Sequence, residues 1–190
     1  LANENPIYTV DATPFLATSY DDAKKLWEVS RSGIEAALEK DGLKVLYAVP
    51  WPAQGLYTAN PVAKVEDLEG VKFRAYNSTT SQLADLTGMV ATQVEVPEIP
   101  TAFATGIVEA MITSPSTGAN SKAWDFVSNF YDVQAWLPKN MVVVNAKSFD
   151  ALPEAAQKAV MDAAAKAETR GWEMSMAEAD AKKKILAENG

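Results

Sequence analysis

Arg74 is the residue of this sequence best suited to holding a ligand. It interrupts the apolar stretch 71–76 shortly before Asn77-Ser78-Thr79, a run of helix N-cap residues. A guanidinium at such a place can grip a carboxylate through two parallel charge-assisted hydrogen bonds, which a lysine cannot do. The plainer reading of the pattern is an arginine on the exposed face of a half-covered strand, since most arginines are solvated. Asn77 can bond a ligand or simply cap a helix. Thr113, Ser114, Ser116 and Thr117 offer hydroxyls to a ligand or to the helix that follows them. Trp51, Gln54 and Tyr57 sit on a stretch broken by Pro50, Pro52 and Gly55, where they can wall a small polar pocket or fill a core. Asn140, just ahead of an apolar run, can bond a ligand or make a turn.

Composition removes most other chemistry. The 190 residues contain no Cys and no His. Thiolate nucleophiles, disulfides, Fe–S clusters, zinc sites built on Cys or His, and Ser-His-Asp triads are therefore excluded. An enzyme would have to work with Asp, Glu, Lys or Tyr alone. Asp21-Asp22 and Glu66-Asp67 are adjacent pairs whose side chains diverge, so neither reads as a catalytic dyad. No phosphate-binding glycine loop occurs. Lys plus Arg is 17 against 25 for Asp plus Glu, a net charge of −8, which argues against nucleic acid as the partner. Lys182-Lys183-Lys184 reads as a solvated helix face. No apolar run of 18 residues is present to span a membrane. Leu1-Ala2-Asn3-Glu4-Asn5 does not read as a signal peptide, although one can have been removed before it.

The elements that would position these groups follow from periodicity. Ser19 caps a helix that carries Leu26, Ser30, Ile34, Ala37 and Leu38 on one side and stops at Gly42. Residues 43–49 read as a buried strand, and 50–57 as an irregular crossover. Residues 71–76 alternate with period two: Val71, Phe73 and Ala75 on one face, Lys72, Arg74 and Tyr76 on the other. A short helix to Gly88, a strand at 90–94, a helix from Pro97 to Gly106 and a strand at 107–112 complete a β-α-β-α-β order with short loops. That order predicts parallel strands. In such sheets ligands bind beyond the carboxyl ends of the strands, here residues 74–79, 94–97 and 113–117. Residues 113–118 read as a break rich in hydroxyls, followed by a helix through Trp124 and Val127, and 141–146 as a strand. The aromatic cluster Trp124, Phe126, Phe130, Tyr131 and Trp136 reads as core. From Pro153 to about Glu188 an Ala-, Lys- and Glu-rich stretch predicts one long helix or two in succession.

Several motifs together resemble the solute-binding proteins of tripartite ATP-independent periplasmic (TRAP) transporters. Pro14-Phe15-Leu16 precedes the first helix. Asp67-Leu68-Glu69-Gly70-Val71-Lys72-Phe73-Arg74 is similar to that family's D-L-x-G-x-K-x-R. Residues 88–98 resemble G-A-x-P followed by a glutamate, with Met89 and Ala91 departing, and 102–110 resemble A-L-x-x-G-x-V-D-G, with Glu109 and Ala110 at its last two places. Phe130-Tyr131-Asp132-Val133 and Phe149-Asp150-Ala151-Leu152-Pro153 follow in the family's order.

The resemblance implies an α/β, two-lobed periplasmic-binding-protein-like fold, with mostly parallel sheets flanked by helices and a long C-terminal helix. It implies residues 1–50 and 141–165 as part of a first lobe, and 51–140 with 166–190 as the second lobe and the helix between lobes. It implies no enzyme and no cofactor, but capture of a small organic acid between closing lobes in the periplasm, for delivery to TRAP membrane subunits. A ligand-sensing effector domain is the alternative, and an α/β enzyme without His or Cys a more distant one. The family's arginine for the substrate carboxylate falls on Arg74. Tyr57 stands where a second arginine is common, and Thr113 or Ser114 where an asparagine is usual. These departures imply a smaller or less polar acid than a sugar acid. Family members are longer, so the resemblance also implies that N-terminal strands of the first lobe are not within these 190 residues.

Overall fold

The computed structural model describes residues 5–190; the reading of the first residues as lacking a leader falls in part on Leu1 to Glu4, outside the described residues. The chain divides into two compact units. One comprises Leu1–Trp51 and Trp136–Ala177, the other Pro52–Ala135 and Glu178–Gly190.

In the first unit a 3-10 turn, Pro6–Ala12, precedes helix α1, Tyr20–Lys40. Ser19 caps α1 by accepting a hydrogen bond from Asp22 N–H at 3.1 Å. The buried face of α1 carries Ala23, Trp27, Ile34 and Leu38. Trp27 thus takes the place expected of Leu26: an indole fills the helix–sheet interface while its Nε1–H donates to Glu168 at 2.7 Å. Strand β1, Leu43–Pro50, pairs with an antiparallel strand from the other end of this unit, Lys139–Asn145, labelled β7 below. Val45 and Ala48 of β1 pack with Trp27, Ile34 and Leu38, flanked by Met141 and Trp172. Lys139, its side chain almost fully buried, lies 3.2 Å from Asp11.

The second unit holds a five-stranded sheet. Its strands are β2 (Gly55–Thr58), β3 (Lys72–Ala75), β4 (Val90–Gln93), β5 (Ala110–Thr113) and β6 (Asn129–Tyr131), in the order β4-β3-β5-β2-β6. Strand β3 is parallel to β4 and β5, while β2 is antiparallel to β5 and β6. Four strands therefore run one way and β2 alone runs against them. Strand β2 corrects the expectation of an irregular stretch reaching Tyr57. Gly55 permits it: a side chain there would collide with the ring of Phe130.

Helices α2 (Ser78–Thr87) and α3 (Ile99–Ala104) connect the parallel strands, and α4 (Pro115–Asn120) follows β5. The segment read as a hydroxyl-rich break is thus the start of α4, capped by Ser114 with Pro115 at its first position. The helix expected through Trp124 and Val127 is only a 3-10 turn at Ala123–Asp125. Its aromatic residues do belong to the core: Trp124, Phe126 and Phe130 pack against Tyr57, Val94, Ile99, Phe103, Met111 and Ala119. A short helix α5, Ala146–Asp150, and a single long helix α6, Glu154–Glu188, complete the chain. The C-terminal part of α6 lends Leu186 and Ile185 to the core of the second unit. There Lys182 and Lys183 are not merely solvated: their ammonium groups bond Asn120 at 2.7 Å and Asp132 at 2.6 Å.

Candidate ligand-binding site

Register decides which side chains share a face of the sheet. Arg74 lies opposite Thr92 of β4 and Met111 of β5, Met111 lies opposite Tyr57 of β2, and Tyr57 opposite Phe130 of β6. Directly paired residues project to the same side. Arg74 therefore shares a face with Met111 and Tyr57, the face on which α3 and α4 build the core. Phe73 and Ala75 are also fully buried, on the opposite face. Both sides of β3 are covered, so the reading of Arg74 as an exposed residue on a half-covered strand is overturned: it is 2% exposed.

Burial of a cation without a counter-charge is costly, and Arg74 has no ion-pair partner among the described residues. Its Nε–H donates to the carbonyl of Val94 at 2.8 Å, and its guanidinium carbon lies 4.8 Å from the centre of the Tyr76 ring. Burial pushes its pKa below the usual guanidinium range, opposed by attraction to Tyr76 and Glu95. Among the described residues the Nε bond is the one hydrogen bond the guanidinium makes, so both terminal amino groups of the fork remain available. Such a group suits an anion that arrives from outside.

Gln54, Asn77, Thr113 and Ser114 gather at the same edge, formed by the carboxyl ends of β3 and β5 and the amino end of β2. The pairing of Gly55 with Thr113 brings the second and third of these ends together. Gln54 is buried; its amide nitrogen donates to Pro52 O at 3.0 Å, and its amide oxygen accepts from the Tyr76 hydroxyl at 3.3 Å. Asn77 accepts from Thr80 N–H at 2.9 Å and so caps α2. Ser114 caps α4 by accepting from Thr117 N–H at 3.1 Å. Thr113, buried, ends β5.

Tyr57 is 1% exposed, and its hydroxyl donates to Ser114 O at 3.2 Å. Its ring packs on Phe130 with centroids 4.7 Å apart. Desolvation, with a smaller push from Asp132, raises its pKa far above the ordinary tyrosine value. It braces the start of α4 against the sheet. Trp51 and Asn140 belong to the first unit. Trp51 is 40% exposed at the end of β1, its N–H donating to Pro138 O at 2.8 Å. Asn140 is exposed within β7, opposite Val49, rather than ahead of the strand, because pairing with β1 extends β7 back to Lys139.

Two contributors escaped notice in the sequence. Tyr76 stacks on Arg74 and orients Gln54, and its signal was the period-two alternation that put it on the arginine's face. Glu95 supplies the nearby negative charge and carries no pattern of its own.

The family model for bacterial extracellular solute-binding proteins, family 7, matches residues 1–190. Two solved Bordetella pertussis proteins, DctP7 and DctP6, both extracytoplasmic solute receptors binding pyroglutamic acid, are similar to the chain at 46% and 42% identity. Their TM-scores are 0.98 and 0.97. A marine metagenome TRAP solute-binding protein specific for pyroglutamate is similar at 40% identity and a TM-score of 0.96. All of the chain is covered in each case, but it spans only 63%, 63% and 62% of those proteins' lengths.

Proposed function

The chain belongs to the bacterial extracellular solute-binding proteins of family 7, and from that premise we propose that its protein captures a small organic acid in the periplasm and hands it to TRAP membrane subunits. Arg74 carries the reading: a guanidinium 2% exposed, without a carboxylate partner among the described residues, that keeps two amino groups for a ligand. The acid's carboxylate lies across that fork, and Gln54, Asn77, Thr113 and Ser114 surround it. Tyr57 shapes the floor without giving up its bond to Ser114. The protein binds and releases its ligand unchanged, with no cofactor.

Pyroglutamate, the ligand of the three similar receptors, is the acid we assign. It is a small five-membered lactam with one carboxylate. It fits the departures from a sugar-acid pattern at Tyr57 and Thr113, where fewer polar groups are offered. Isothermal titration of the purified protein with pyroglutamate, its primary amide and galacturonate tests the assignment. Binding of pyroglutamate with at least hundredfold weaker binding of the amide supports it. Equal binding of acid and amide refutes the carboxylate reading, and tighter binding of galacturonate refutes the choice of acid.

A further inference from the structure

Strand β4 ends the sheet of the second unit. It pairs with β3 on one side, and among the described residues no strand pairs with it on the other. The N–H groups of Val90 and Val94 donate to the carbonyls of Val71 and Ala75 at 2.9 and 3.1 Å. In a parallel ladder alternate residues bond the same neighbour, so Val90, Thr92 and Val94 face β3, while Ala91 and Gln93 turn their N–H and C=O groups outward. Both outward residues are exposed, and Val90 beside them is 56% exposed.

An open edge is a template for a further strand, and proteins blunt it with proline, lysine or a bulge. Strand β4 has none of these. Residues 89–94 read Met-Val-Ala-Thr-Gln-Val, an uncharged run in a chain of net charge −8, and the pairing with β3 runs without a shift of register. The motif G-A-x-P sets a proline at the place of Ala91, the first residue whose N–H faces out. A proline there would remove that donor; the departure to alanine keeps it.

A second copy of the same strand fits this edge. A two-fold axis through Thr92 sets two β4 strands antiparallel, with Ala91 of each copy opposite Gln93 of the other. Both residues face outward, so they exchange N–H···O=C bonds at each place. Val90 then meets Val94, and Thr92 meets the same threonine of the other copy, a favourable cross-strand pair. Glu95 falls opposite Met89, so no like charges are opposed. We propose that β4 pairs with β4 of a second copy, in a symmetric dimer that joins the two sheets edge to edge. So short an edge buries less than the roughly 1,200 Å² of a standard interface, so the dimer is weak and fills only at roughly tenths of a millimolar. The inference is independent of the ligand and of the role of Arg74.

Sedimentation equilibrium of the intact protein from about 10 μM to about 1 mM brackets the affinity of so small a contact. Wild type should pass from monomer toward dimer over that range. Ala91→Pro, which removes an outward donor, and Gln93→Lys, which charges the edge, should each weaken association at least tenfold. Ala91→Val keeps the N–H and favours the strand, so it should associate as well or better. If Ala91→Pro fails to fold, by circular dichroism, Gln93→Lys decides. The register has its own test, because the chain contains no cysteine. Directly opposed residues of a non-hydrogen-bonded pair lie about 4.5 Å apart at Cα, within disulfide range. Thr92→Cys should therefore be captured as a disulfide dimer on mild oxidation, and Glu154→Cys, exposed at the start of α6, should not. A protein that stays monomeric at every concentration overturns the proposal, leaving the edge to a strand of another protein or to water. Association that Ala91→Pro and Gln93→Lys leave within twofold overturns it as well, as does Thr92→Cys cross-linking no faster than Glu154→Cys.

Discussion

Replacing Arg74 is the sharpest test of how this protein works. In the ligand-free protein its cost is already present: a guanidinium 2% exposed, bonded among the described residues only through Nε to Val94 O, and stacked on Tyr76. A carboxylate that docks on the two terminal amino groups gains two charge-assisted bonds, each worth roughly 1.5–3 kcal/mol. It loses part of this to its own desolvation. Truncating one partner of such a buried pair typically costs about 2–5 kcal/mol. A loss of about 3 kcal/mol is therefore expected for Arg74→Met, which is roughly two orders of magnitude in Kd. Arg74→Lys keeps the charge but loses the fork and the Nε bond, and should fall between, roughly ten- to thirtyfold weaker. Stability should move little. Removing a desolvated cation relieves a penalty, while Val94 O loses its donor, and these effects of about 1–3 kcal/mol oppose each other. Because an arginine stays protonated even when burial lowers its pKa, wild-type affinity should be flat from pH 5 to 9. It should drop only as the ligand's carboxylate protonates near pH 4. Calorimetry of the three proteins at several pH values reads all of this. A folded Arg74→Met that binds the acid within twofold of wild type would refute the argument.

Two further outcomes concern the brace beneath the site. Gly118→Ala should destabilise the protein by about 1–3 kcal/mol in urea unfolding, because the added methyl meets the Tyr57 ring and hydroxyl in a packed core. The Tyr57 hydroxyl is held protonated by desolvation, so its contribution is intact below about pH 10, where an unfolded tyrosine titrates, and is lost as pH rises further. Wild type should therefore lose stability above pH 10 more steeply than Tyr57→Phe, in thermal melts followed by circular dichroism. Parallel curves would show that another group sets the alkaline limit.

Much of the second unit was legible because its signals are local. Strands with apolar alternation end at good caps, so Asn77 and Gly88 bracket α2 as read, and the parallel order of β3, β4 and β5 followed from the short connections. What escaped is set by distant parts of the chain. Strand β2 has four residues beside two prolines and exists because β5 and β6 flank it. The alternation through Arg74 suggests one wet face, yet helices on both sides bury it. Helix α4 was hidden because Ser114-Pro115-Ser116-Thr117 serves equally as a loop or as a capped start, and only the close fit of Gly118 on Tyr57 decides between them.

The contribution of Leu186 to the second unit's core bears on the order in which the chain can fold. Strand β2 finds its partners some 50 to 75 residues later, in β5 and β6, and Leu186 joins their core after all of Trp136–Ala177 has gone into the other unit. Each unit is thus interrupted by the other. Long separations of this kind must close large loops before contacts reward them, which slows folding. On the ribosome, the earlier-made part of the second unit waits through the synthesis of Trp136–Ala177 for its last core residues. The second unit, which carries Arg74, is consequently later to become fully native than its position in the sequence suggests.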